Sequence, residues 1–159
     1  MKLRILFLSG LVFGLGACTE KSVEEPTAAV QPAVASKPAA MPRTASAEGA
    51  SVFFITPANG ATVTNPIQIE FGIEGMDVVK AGDNQPNSGH HHLLIDTDIP
   101  NLGLPIPADE RHVHFGDGRT ATEIVLPPGE HTLQMLLGDH LHIPHEPPLV
   151  SEAITITVE

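Results

Sequence analysis

The chain has 159 residues, 42% of them apolar in type, enough to bury one core but not two. With 8 Lys and Arg against 19 Asp and Glu its formal charge is −11, which repels a phosphate backbone and excludes nucleic acid as a partner. It has no Trp, no Tyr and six Phe, so stacking platforms for sugars or single strands are lacking, and its single Cys permits neither an internal disulfide nor a thiolate metal cage.

Residues 1–17 begin with Lys2 and Arg4, continue through an apolar run over 5–13 and end in Leu15-Gly16-Ala17, directly before Cys18. The run is too short for a permanent span, and small residues before a Cys make a secretory signal with a lipobox. The segment resembles the leaders of bacterial lipoproteins. That resemblance implies cleavage before Cys18, lipidation of Cys18 and a membrane anchor on the periplasmic side of the envelope. Thr19, in the place of the Asp that retains such proteins at the inner membrane, favours the outer membrane. Residues 18–49 are rich in Ala, Pro, Ser, Glu, Thr and Val, with prolines at 26, 32, 38 and 42, and are expected to form a semi-extended tether.

From residue 50 to 159 short apolar runs alternate with Gly, Pro and Asn, and no stretch sustains a helical period. Strands are expected over 51–55, 67–73, 90–96, 121–126, 130–137 and 153–158, with a short one over 113–115. The clearest is 67–73, where Ile67, Ile69, Phe71 and Ile73 alternate with Gln68, Glu70 and Gly72, as in a half-buried strand. The fold class is therefore all-β, an immunoglobulin- or fibronectin-like antiparallel sandwich of about seven strands.

All nine His lie between His90 and His145. In the sandwich topology the start of strand 90–96, the approach to 121–126 and the loop after 130–137 share one pole, which gathers eight of them. His131 falls at the other pole, with Leu133's parity, as a hydrogen-bonded residue at the core edge. Neutral imidazole suits zinc and copper, whereas magnesium and calcium take oxygen ligands, so a His-only set points to Cu(II) or Zn(II). Residues two apart on a strand share a face, which pairs His90 with His92 and His112 with His114. His142 and His145 come from a Pro-rich loop. These six are the expected ligands, with Asp117, Asp139 and Glu146 behind them to orient the rings and raise their pKa values. His91 has the parity of Leu93 and Ile95, and His140 is expected to be a spectator.

Gly89-His90-His91-His92-Leu93-Leu94-Ile95-Asp96, His112-Val113-His114-Phe115-Gly116, the stretch from Leu126 to Gln134, and Gly138-Asp139 with His142, Pro144, His145 and Pro147-Pro148 form one pattern. On that pattern the domain, over about residues 51–158, resembles a bacterial family of unassigned role, DUF4399. It implies no reaction. More loosely, His112-Val113-His114-Phe115-Gly116-Asp117 is similar to the copper-ligating strand of copper-zinc superoxide dismutase, without the residue that there separates the second His from Phe. The function expected is a lipid-anchored periplasmic protein that captures or buffers copper or zinc. The alternatives are a metal-dependent enzyme, dismutase-like or hydrolytic, and a metal-free module that binds another envelope protein. The partners expected are the membrane and a metal ion; no motif names a protein partner.

Overall fold

The structure is a computed structural model that describes residues 41–159. The expected signal and Cys18 lie outside the described residues. Alternation builds the first sheet. Ile67, Ile69 and Phe71 of β3 (Ile67–Glu74) are buried, while Gln68 and Glu70 are exposed. β3 pairs antiparallel with β1 (Ser51–Thr56) on one side and β7 (Ala121–Ile124) on the other. The expected strand 121–126 stops at Ile124 because the Asn65 amide takes over the Leu126 backbone, accepting its N–H at 3.1 Å and donating to its carbonyl at 2.8 Å.

The second sheet has six strands. β8 (Gly129–Gly138) is flanked by β9 (Ile154–Val158) and β5 (Ser88–Ile95), both antiparallel to it. β2 (Thr62–Val63) adds in parallel to β9, and β4 (Asp77–Val78) in parallel to β5. β6 (His112–His114) pairs antiparallel with the other end of the same β5 edge. The expected all-β sandwich is the fold observed, with mixed rather than purely antiparallel pairing and two additional two-residue strands. Leu93, Leu133, Met135, Leu137 and Ile156 meet Val52, Ile67, Ile69 and Phe71 in the core.

β5 departs from alternation: all eight of its residues are buried. His91, Leu93 and Ile95 face the other sheet, so His90, His92 and Leu94 face outward. The outward side is covered by the long connection from β5 to β6, whose Ile106 and Leu102 pack with Leu94, Leu136 and Val150 in a second apolar cluster. Burying Leu94, Ile106 and Leu136 contributes about 1.5–3 kcal/mol each. That is enough to hold the connection in place over the sheet.

The folded body also starts earlier than the expected residue 50. Ala45 bridges Glu146, and Ser46 N–H donates to the Glu146 carbonyl at 3.1 Å. Arg43 donates to the carbonyls of Pro144 and His145 and pairs with Glu146.

At the far end of β5, His131 Nδ1 lies 2.7 Å from Asp96 Oδ2 and its Nε2 lies 2.9 Å from the Pro127 carbonyl. Both partners accept, so both ring nitrogens donate and the ring is an imidazolium. The bond to Asp96, then that to Pro127, raises the His131 pKa. A raised histidine contributes stability that is full below its unfolded value of about 6.5 and is lost as pH rises through the folded value. His131→Ala is therefore expected to cost about 1 kcal/mol in urea denaturation near pH 6, discounted for the exposure of Asp96, and less at pH 9. A deficit that stays the same at both pH values would contradict the charged pair.

Candidate metal centre

Four imidazoles meet on the outward face of the second sheet. His90 and His92 are two apart on β5, with ring centroids 4.8 Å apart. His114 sits opposite His92 in the β5–β6 register, 5.1 Å from the His92 ring and 4.9 Å from that of His90. His142 arrives from the connection between β8 and β9, at 4.8 Å from His90, 4.7 Å from His114 and 5.9 Å from His92. Ligand atoms of His90, His114 and His142 all lie within 4.8 Å of one another, so this group could hold a metal ion. Nε2 of His142 and Nε2 of His114 are 3.2 Å apart.

Burial decides the electrostatics. His90 and His92 are buried, and neither ring nitrogen of either residue has a hydrogen-bond partner among the described residues. An unpaired buried polar atom costs about 1–3 kcal/mol, and each neutral ring carries one lone-pair nitrogen, so the two unpartnered lone pairs at one spot point to a ligand that accepts them. Burial, then the neighbouring His142 and His114, pushes the His90 pKa down to about 3, and burial with the same crowding takes His92 down to about 2. His114 is also lowered, by burial and by His142. The expected rise from acidic neighbours does not occur at these three residues. Asp139 acts upward on His90, as Asp117 does on His114, but desolvation outweighs both.

The His142 connection is organised by Asp139, which is itself buried. Its Oδ1 accepts from the N–H of Leu141 at 2.9 Å and of Ile143 at 3.0 Å, and its Oδ2 accepts from Thr44 Oγ1 at 2.7 Å. The His142 N–H donates to the Asp139 carbonyl, and the His142 carbonyl accepts from Ile106 N–H, both at 2.8 Å. Held from both sides, His142 takes a left-handed φ of 66°. For a residue with a Cβ that conformation costs roughly 1–2 kcal/mol, stabilised here by the surrounding bonds.

The remaining expected site residues lie elsewhere. His112 pairs with Leu94, two residues from His114 and so about 7 Å along the strand. Its Nδ1 is bound to Asp109 Oδ1 at 2.8 Å, closing the turn before β6. His145 is fully buried but directs Nε2 to the Ser88 carbonyl at 3.1 Å. Asp139 orients backbone rather than an imidazole, Asp117 is engaged by Arg119 at 2.6–2.9 Å, and Glu146 by Arg43. His91 turns into the inter-sheet core, 5.1 Å from the Phe71 ring, where burial lowers its pKa to about 4. His140 is partly buried and stands outside the group of four.

Two glycines make room for the rings, a role that no residue pattern along the chain announces. A Cβ on Gly138 would fall 2.8 Å from His92 Cε1, and one on Gly116 would fall 2.6 Å from His114 Nε2. Gly138→Ala is therefore expected to displace the His92 ring and weaken metal binding about 10–100-fold, the range for groups that position a ligand, while the domain stays folded. Unchanged affinity by titration would show that His92 does not need its observed place.

A family model described as a domain of unknown function, DUF4399, matches residues 69–159, which contain all four of these histidines and both glycines. No curated protein and no solved structure matches the chain.

Proposed function

We propose that this chain, which belongs to the DUF4399 family, is a lipid-anchored periplasmic protein that captures or buffers a first-row metal ion, zinc or copper, through His90, His92, His114 and His142. The observation that carries the reading is the convergence of His90, His114 and His142 beside His92, with the ring nitrogens of the buried His90 and His92 lacking a partner among the described residues. His90 and His92, kept neutral by burial, present lone pairs at neutral pH without first losing a proton. The nearby Asp139, Asp117 and Glu146 are committed to loop backbone or to arginines, which favours holding an ion over processing a substrate.

Calorimetric titration of the metal-free domain with Zn(II) and with Cu(II) tests the reading. The protein used must begin no later than residue 41, because Arg43 and Thr44 brace the His142 connection. One ion per chain is expected, and absence of saturable binding by either ion would contradict the proposal. The anchor rests on Leu15-Gly16-Ala17-Cys18. Cys18→Ser is expected to move the protein from the membrane to the soluble fraction with its fold intact, and a variant that stays membrane-bound without lipid would refute the assignment.

A further inference from the structure

The six distances among the four rings discriminate between coordination geometries. With metal–nitrogen bonds of about 2.0–2.1 Å and a ring centre about 1.2 Å behind the nitrogen, a tetrahedral ion places all ring centres about 5.2 Å apart. A square-planar ion instead gives about 4.5 Å for four neighbouring pairs and about 6.4 Å for two diagonals that have no ring in common. The observed separations run from 4.7 to 5.9 Å, and the two longest, 5.1 and 5.9 Å, both involve His92. Diagonals of a square cannot share a corner. The four rings therefore outline a tetrahedron lengthened along its His92–His142 edge.

We infer that His90, His92, His114 and His142 form a closed, tetrahedral four-imidazole site fitted to Zn(II), with His92 as its fourth ligand. The inference deepens the metal-binding reading and rests on it. His92 lies outside the group of three whose ligand atoms are already within 4.8 Å, but both of its nitrogens are buried beside that group and have no partner among the described residues. Zn(II) has no geometric preference of its own and takes four tetrahedral ligands in closed sites, whereas Cu(II) favours tetragonal ones. Cu(I) selects thioether and thiolate sulfur. Met76 and Met135 are packed in the inter-sheet core instead. The frame resists rearrangement towards a plane: three rings stand on paired strands, two of them against Gly138 and Gly116, and His142 is bound on both sides of its backbone.

The test is visible spectroscopy of the full, untagged chain in detergent, titrated with Co(II) as a spectroscopic substitute for Zn(II). Four-coordinate Co(II) has no inversion centre and absorbs far more strongly than six-coordinate Co(II), so an intense band that is bleached by one equivalent of Zn(II) is expected. His92→Ala should change that band and weaken Zn(II) binding about 100-fold. Bound Co(II) with only the weak six-coordinate spectrum, or a His92→Ala spectrum identical to that of the parent, would overturn the tetrahedral assignment while leaving metal binding standing. Failure to bind either Co(II) or Zn(II) would overturn both. Should His92→Ala not fold, the proton resonances of the His92 ring in the parent decide: they should shift on Zn(II) addition, and their constancy would remove His92 from the site.

Discussion

Replacing His114 and His142 together by alanine is expected to weaken Zn(II) binding by about four orders of magnitude. Closed four-ligand zinc sites hold their ion with about 10–16 kcal/mol, so each ligand carries about 3 kcal/mol, or roughly 100-fold. These two rings are the partly exposed members of the cluster, and their removal leaves the buried His90 and His92 in place. The fold should therefore survive and the loss should appear in affinity. His112→Ala, in contrast, removes a ring bound to Asp109 and should leave affinity within a few-fold of the parent. His131→Ala should behave likewise, since its ring is bound to Asp96 and Pro127 five residues along β8 from the partner of His92. Titration calorimetry of the three variants checks this. Comparable losses from His112→Ala and from the double variant would place the ion away from the observed cluster.

The second large effect is acid sensitivity of the metal-free protein. His90, His91 and His92 are held at about 3, 4 and 2 by burial, against about 6.5 in the unfolded chain. A group with a depressed folded pKa gives stability that is complete above its unfolded value and is lost as pH falls towards the folded one. By pH 5 each of the three costs about 2 kcal/mol, and together they approach the whole stability of an ordinary domain. The metal-free chain should therefore unfold on acidification below about pH 6, followed by circular dichroism. Zn(II) should move the transition to lower pH, because bound ligands cannot take up protons without releasing the ion. His91→Leu separates the contributions. It removes from the inter-sheet core a buried ring whose two nitrogens have no partner among the described residues, so it should lower the acid midpoint of the metal-free form and leave Zn(II) affinity unchanged. A metal-free domain stable to pH 4 would contradict the buried, neutral state of these rings.

Much of the fold was legible because it depends on period-two patterns. Ile67, Ile69 and Phe71 against Gln68 and Glu70 identify β3 directly, and the parity of His91 with Leu93 and Ile95 places His91 in the core. The outward burial of His90 and His92 was not legible, because it depends on the connection over 96–111 folding back through Leu102 and Ile106, which carry no periodic signal. His112 and His114 share a strand face, but Asp109 captures the first ring locally, and strand parity says nothing of a turn that competes for a side chain. His142 and His145 come from one loop and diverge because the Asp139 bonds set the backbone around His142 alone. The stretch around Arg43 and Thr44 has the composition of a tether, and only the contacts with Pro144, Glu146 and Asp139 make it part of the domain.

The most direct measurement of the central claim is the elemental composition of the chain itself, isolated without an affinity tag from the envelope of the cells that make it. One zinc ion per chain, lost together with the His114 and His142 rings, is the predicted result. A correctly folded chain that carries no transition metal in either form would contradict it.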